Sequence, residues 1–316
     1  MMDEFILQNQ HFPPGSSGMV RINAGSLPSG NRISIFAYVF RSKHPGPVVL
    51  FMGGMHGDEI NGTEIVRRSI QNNYYDQLLR GTVICIPLLN IYGFINFSRD
   101  VPDGKDVNRS FPGSSSGSLA SRVARIVTKK ILPLIDFGID FHTGARDIWN
   151  YPHLRYSAKS DDAQALARMC HFPLIVSKPS ISKSLRRVAR DLKKTILVFE
   201  GGEALRLENF VVEKGLTVIR NLLMAHQMIH GEPPVHEKIT EFRKLSWERS
   251  PDSGIITYQR KSGNWVKKGE LLAVITDPFA QRETRMYASK DAFILGQNNA
   301  PVVNLGDGMF NLANTL

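Results

Sequence analysis

The feature that most limits what this chain can become is a repeated unit. An almost unbroken apolar run meets a glycine-bearing turn, and apolar residues at helical spacing follow. It is clearest at "GPVVLFMGG" (46–54), which leads into "DEINGTEIVRRSIQNNY" (58–74). Further apolar runs stand in "GTVICIPLLN" (81–90), "FGIDFHTGA" (137–145), "PLIVSK" (173–178) and "TILVFEGGE" (195–203). Helical patterns separate them at "SLASRVARIVTKKILPLI" (118–135), "DAQALARMCHF" (162–172), "SKSLRRVARDLKK" (182–194) and "LENFVVEKGLTVIRNLLMAHQMI" (207–229). Two more strands, "MVRINAG" and "RISIFAYVF", flank the turn signal "SLPSGN" near the start. Strands of this kind are buried on both faces, and their alternation with helices predicts an α/β fold with a mixed, mostly parallel sheet flanked by helices. Residues 92–118, rich in Gly, Ser, Pro and Asp, read as loop, and residues 145–185 as largely loop around the elements just named.

The pattern breaks at "HGEPPVHEK" (230–238). Beyond it come short strands with frequent Gly and Asn and no helical stretch, so a domain boundary is expected near 244/245. Residues 1–244 would form the larger domain and 245–316 a small all-β one. Within the latter, "GNWVKKGELLAVI" (263–275) resembles the turn and strand of lipoyl- and biotinyl-type barrel-sandwich domains. Lys267 and Lys268 are misplaced for a carrier lysine, so the resemblance extends to fold and not to carrier function.

Composition narrows the function classes. The 316 residues are 42% hydrophobic and 22% charged, ordinary for a globular chain. No apolar run reaches the ~18 residues of a membrane span, and the acidic "MMDEFILQNQHF" start does not read as a signal peptide. Two cysteines, Cys85 and Cys170, exclude a disulfide framework and point to a reducing cytoplasm. The net charge is +10, with eight Lys/Arg against seven Asp/Glu from Leu245 to Leu316, so almost all of the excess lies on the larger domain. That favours acidic small substrates. No basic run interleaved with aromatics supports nucleic acid as a partner. The densest basic patch, "LRRVARDLKK" (185–194), also reads as the solvated face of a helix.

The chemistry gathers where three strands end: "GGMHGDE", "DFHTG" and "VFEGGE". Ligands of open α/β sheets bind at the carboxyl ends of strands. Singly, Glu59 can be a first-turn acid facing the helix dipole, and His142 a hydrogen-bonded core histidine. Together they read as one site. His56 and Glu59, three residues apart at a strand-to-helix turn, can reach one ion, with His142 closing a third side. Three His/carboxylate ligands with an open position are the pattern of catalytic zinc. Glu200, ending an apolar strand before two glycines, is placed to be the general base.

In their order, "GGMHGDEINGTE", "DVNRSFPG", "DFHTG" and "VFEGGE" resemble the succinylglutamate desuccinylase and aspartoacylase family, a branch of the zinc carboxypeptidase superfamily; the likeness spans roughly residues 45–225. It implies one Zn2+ per chain held by His56, Glu59 and His142, with Glu200 as base and later acid. It implies that Arg99 polarises the scissile carbonyl and that Asn108 and Arg109 grip the substrate carboxylate. Asp58 would support the turn, Asp106 the Asn-Arg loop, and Arg186 would stand near the substrate. The tyrosine used by peptidase members has no motif here; Tyr151 and Tyr258 are the available residues.

The leading expectation is therefore a zinc-dependent deacylase that removes a small acyl group from an N-acylated amino acid. A metallocarboxypeptidase acting on short peptides shares the same ligands and is the alternative, and a non-catalytic zinc-containing binding protein comes third. The expected partner is a small carboxylate substrate, with no nucleic acid, no membrane and a possible homo-oligomer. The identity of the acyl group and of the amine is not legible.

Overall fold

The computed structural model describes residues 4–234 and 238–315; residues 1–3 of the acidic N-terminal stretch, 235–237 of the "HGEPPVHEK" break and 316 lie outside the described residues. The strands that build the sheet are β1 (Ser17–Ser26), β2 (Arg32–Arg41), β3 (Val48–Gly53), β4 (Thr82–Ile86), β5 (Phe137–Gly144), β6 (Ile148–Ser157), β7 (Leu174–Lys178) and β8 (Thr195–Glu203). Between them run helices α1 (Ile60–Gln71), α2 (Leu119–Ile126), α3 (Asp161–Met169), α4 (Leu185–Asp191) and, after β8, α5 (Asn209–Ala225). The C-terminal part adds β9 (Lys244–Arg249), β10 (Ala292–Asn298) and β11 (Gly308–Asn314) to the same sheet. Among the described residues no helix is long and apolar enough to cross a membrane.

The sheet runs β9-β11-β10-β6-β8-β5-β3-β4-β2-β1. Its centre, β8-β5-β3-β4, is parallel, and β2 and β6 join that centre antiparallel. The apolar runs are the central strands, and burial explains why they lack alternation. Leu50 and Met52 of β3 pack into one core, with Val123 of α2 and Leu185 and Ala189 of α4. Val49 and Phe51 of the same strand enter the other, with Ile65 of α1, Leu166 of α3 and Val211 and Leu222 of α5. Successive side chains thus serve opposite helical layers, which an α/β/α sandwich requires of every central strand. The edge-proximal β2, buried only at alternate positions, shows the period of a half-covered strand instead.

Three readings of the sequence need revision. Residues 92–118 carry regular structure at two places, a five-residue helix at Ile91–Ile95 and a 3-10 turn at Val107–Arg109. The stretch after Ala145 holds a full strand, β6, hidden by Pro152 and by the polar Asn150, His153 and Arg155, which interrupt any apolar run. The helix read over 118–135 is α-helical to Ile126 and continues as a π-helical turn, Val127–Ile131.

The C-terminal part is all β. A separate four-stranded antiparallel sheet (Gly254–Tyr258, Leu271–Thr276, Glu283–Tyr287, Val302–Val303) faces β10 and β11 across a core of Ile256, Ile275, Met286, Ile294, Phe310 and Leu312. β10 pairs with β6 through Gly296 and Asn150, so the main sheet is continuous across residue 244.

Candidate metal centre

The turn after β3 must pass closely under the helix at Ile91–Ile95. A Cβ on Gly57 would lie 1.9 Å from the carbonyl carbon of Gly93, so only glycine fits. That close passage fixes the backbone on either side, where His56 and Glu59 both point inward and are 2% exposed. Glu59 is the N-cap residue of α1, yet its side chain makes no cap bond. Its Oε1 is 2.6 Å from His56 Nδ1 and its Oε2 is 2.8 Å from His142 Nδ1. The carboxylate of Glu59 is thus directed at the two histidines, rather than serving only as a first-turn acid facing the helix dipole.

His142 stands near the end of β5, two strand positions after Asp140 and on the same face. The two imidazoles meet Nδ1 to Nδ1 at 3.2 Å. At that distance the two ring nitrogens either share a proton or flank a cation. The ligand atoms of His56, Glu59 and His142 lie within 4.8 Å of one another, all three residues buried. Each ring is anchored by a carboxylate on its far nitrogen: Asp140 Oδ2 at 2.7 Å from His142 Nε2, and Asp106 Oδ1 at 3.3 Å from His56 Nε2. Such outer carboxylates fix tautomer and orientation of metal-binding histidines. The donor set, its convergence and its anchoring fit a divalent ion with N and O ligands.

Electrostatics agree. Burial alone would raise Glu59, but the two imidazoles outweigh it and hold the carboxyl well below its usual range. Burial alone would lower His142, yet Asp140 and Glu59 raise it well above an ordinary histidine. His56 is raised in the same way, against burial, by Glu59 and Asp106. The cluster is built to surround positive charge.

Arg99 closes this side of the site. Its Nη1 is 3.1 Å from Glu59 Oε1, while Nε and Nη2 donate to Asp106 Oδ2 at 3.2 and 2.9 Å. Asp106 also accepts from the Asn108 amide at 2.6 Å, capping the 3-10 turn. Asn108 Oδ1 in turn accepts from the Leu185 amide at 3.0 Å and ties that turn to the start of α4. Arg109 is exposed, and its Nη1 donates to the Asn108 carbonyl.

Glu200 faces the ligands from the end of β8, and both its oxygens are held. Arg155 Nη1 donates to Oε1 at 2.7 Å and Asn150 Nδ2 to Oε2 at 3.0 Å. Arg155 is itself fixed, its Nε donating to His153 Nε2 at 3.0 Å. His153 must then be neutral, with Nδ1–H donated to the Tyr151 carbonyl at 2.7 Å. Burial first, and the Arg155 charge second, push that ring well below an ordinary histidine. Lys178 is lowered chiefly by Arg155, then by burial. Arg186 is pushed down to about 10, by burial and then by Arg155. One of its Nη2 protons goes to the Pro179 carbonyl, and its buried Nη1 has no partner among the described residues.

These groups line one cavity of about 340 Å³. His56, Glu59, Arg99, Asn108, Arg109, His142, Arg186 and Glu200 all border it, so every site residue singled out in the sequence is brought to one place. Arg186 belongs to the cavity wall, while Arg187 and Arg190 of the same basic patch are exposed. Asp58 is beside the ligands but contributes no wall. No tyrosine is among the described lining residues: Tyr151 packs on Trp149, Phe210 and Phe293, and Tyr258 donates to the Asn298 carbonyl. Sequence reading missed Asp140, Asn150, Arg155, Lys178, Trp247 and Asn311. For Asp140 the signal was present, an acid two residues before a strand-end histidine. The others needed the pairing of β6, β7, β9 and β11.

Comparison with known proteins places these residues in a wider context. A family profile described as the succinylglutamate desuccinylase/aspartoacylase catalytic domain matches residues 45–226. Among curated proteins, the chain is 25% identical over 282 residues to N-alpha-acetyl-L-2,4-diaminobutyric acid deacetylase of Halomonas elongata, covering 83% of this chain and 80% of that one. Among solved structures it is similar to the product-bound ectoine utilization protein EutE of Ruegeria pomeroyi, with TM-score 0.82, 21% identity and 94% of each chain covered. It is also similar to a succinylglutamate desuccinylase/aspartoacylase from Rhodobacter sphaeroides, with TM-score 0.81, 22% identity and 95% of each chain covered. At those identities the structural likeness speaks for the fold.

Proposed function

The chain belongs to the succinylglutamate desuccinylase/aspartoacylase family, and from that premise we propose that it is a zinc-dependent amidohydrolase that removes a small acyl group from an N-acylated amino acid. The observation that carries the reading is the convergence of His56, Glu59 and His142 on one side of a cavity whose other side presents Glu200. The deacetylase activity named for the Halomonas relative supports an acyl-amino-acid substrate over a peptide. The two buried, unpaired cysteines suit a cytoplasmic setting.

The two imidazoles and the Glu59 carboxylate would hold a zinc ion, which when bound would supply Lewis acidity toward an amide carbonyl and toward water near neutral pH. The chain's own groups do the rest. Glu200 takes the proton of the attacking water and returns it to the leaving amine, so amide and water become carboxylate and free amine. Arg99 donates toward the carbonyl oxygen as charge builds there, which is usually the largest catalytic contribution. Asn108 and Arg109 hold the substrate carboxylate, for which a planar guanidinium is better suited than a lysine. Arg155 and Asn150 keep the Glu200 carboxylate in one orientation. Arg109, Arg155, Lys178 and Arg186 together make the cavity wall cationic and select against positively charged acyl groups.

The test is Glu200→Gln. It is expected to fold, retain one zinc per chain and lose hydrolysis of N-acetyl, N-succinyl and N-formyl amino acids by about 10²–10⁴-fold. Full activity in that variant would remove Glu200 from the base role, and hydrolysis of short peptides in preference to acyl amino acids would move the reading to a carboxypeptidase.

A further inference from the structure

The cavity has a third wall that the reaction does not use, and it comes from the C-terminal part of the chain. Four register partners run across the sheet from beside the base: Asn150 of β6 opposite Gly296 of β10, Gly296 opposite Asn311 of β11, and Asn311 opposite Trp247 of β9. Directly paired residues on neighbouring strands present their side chains on the same face. Asn150, Asn311 and Trp247 therefore form a row leading away from Glu200, and all three line the cavity. The gap at Gly296 is enforced, because a Cβ there would lie 2.7 Å from Asn150 Oδ1.

Asn311 is the unexplained member. It is 7% exposed, its Oδ1 is buried without a partner, and its amide nitrogen has no hydrogen bond among the described residues. Asn150, by contrast, spends its amide on Glu200. A buried carboxamide oxygen left without a donor is destabilising, and a donor on a bound group would relieve it. Beside it, the Trp247 ring packs against Gly308 and offers a flat neutral surface. This row carries no charge, whereas the remaining lining of the cavity includes a cationic wall of Arg155, Lys178 and Arg186. An anionic group is drawn to that cationic wall. A carboxamide or hydroxyl, which both donates and accepts, matches Asn311.

We infer that Asn311 and Trp247 are specificity-determining residues, forming a neutral subsite for an uncharged hydrogen-bonding side chain on the amine portion of the substrate. The inference rests on the deacylase reading for its substrate and deepens it. N-acetylglutamine is then hydrolysed with a higher kcat/KM than N-acetylmethionine, N-acetylglutamate or N-acetyllysine. Asn311→Leu lowers the glutamine-to-methionine ratio of kcat/KM by at least about tenfold, the worth of one such hydrogen bond. Trp247→Ala lowers kcat/KM for both substrates through KM.

Binding is read separately from hydrolysis, by the fluorescence of Trp247 in a Trp149→Phe, Trp265→Phe background titrated with free glutamine and free methionine. These substitutions leave Trp247 as the sole tryptophan of three. Tighter binding of glutamine that Asn311→Leu abolishes supports the subsite even where hydrolysis is absent, and that outcome would sink the deacylase reading alone. Hydrolysis with a substrate ratio indifferent to Asn311→Leu overturns the subsite and leaves the deacylase reading standing. Equal loss on every substrate also overturns it, because a purely structural role for Asn311 gives that result.

Discussion

The two sides of the cavity are built on different principles. The side of His56, Glu59 and His142 is held by charge within a short span: two imidazoles, one carboxylate between them, and Asp106 and Asp140 behind. The side of Glu200 is held by sheet register: Asn150 and Arg155 reach it from the antiparallel neighbour β6, and His153 fixes Arg155 from the same strand. On the first side the protonation of the two imidazoles is coupled to the Glu59 carboxylate between them. The second keeps a carboxylate pinned with no ion at all. On the proposed reading one side would hold a metal and the other aim a base, and each should fail in its own way when broken.

The largest separation of the two comes from His142→Ala. On the proposed reading it removes a ligand, and it is expected to abolish both metal retention and hydrolysis, activity falling by at least about 10³-fold as the Lewis acid is lost. Metal analysis beside an activity assay checks this. Activity with metal retained in His142→Ala would mean that the ligand set has been misread.

Arg155→Gln attacks only the other side. Metal content should stay at the wild-type level while kcat falls about tenfold to hundredfold, less than the ~10²–10⁴ that a general base contributes in full. Loss of metal in this variant would show that the two sides are coupled.

Asp140→Asn is a milder blow to the first side. It leaves all three ligands but weakens the anchor on His142 Nε2 at 2.7 Å. Metal affinity should drop by about 10–100-fold, with kcat at saturating metal nearly intact; competition against a chelating dye measures it.

The smallest effect is on the stability of metal-free protein. His56 and His142 are raised above the ordinary histidine value of 6.5, so their contribution is full below that pH and lost as pH rises through their folded values. Glu59 is depressed below the ordinary 4.5, so its contribution is present above that value and lost as pH falls through the folded one. In chelated protein the cluster therefore stabilises most between 4.5 and 6.5. With metal present the preference reverses, since the histidines must shed protons to bind, and affinity rises with pH. Thermal melts of chelated and loaded protein across pH 4–8 should diverge on the alkaline side.

The same contrast explains what could be read from the sequence. His56 and Glu59 sit three residues apart at the end of an apolar run, and His142 and Glu200 also end such runs, so local pattern exposes them. The α/β class follows from the same runs, which become β3, β4, β5, β7 and β8. Arg155 and Asn150 were illegible because β6 lies antiparallel at the flank of the parallel centre, carries Pro152, and has no apolar period to announce it. Asn311 and Trp247 lie more than 45 residues beyond Glu200 and reach its cavity only because the main sheet continues through β10 into β11 and β9. Local chemistry is written in neighbours along the chain. Register between distant strands is written in packing, which no short window contains.

The most direct test of the central claim is hydrolysis of N-acyl amino acids by protein purified without added metal, assayed before and after chelation and again after zinc is restored, with bound metal counted at each stage. About one zinc per chain, activity lost on chelation and regained with zinc is the predicted result. Undiminished hydrolysis by protein stripped of metal would contradict the account.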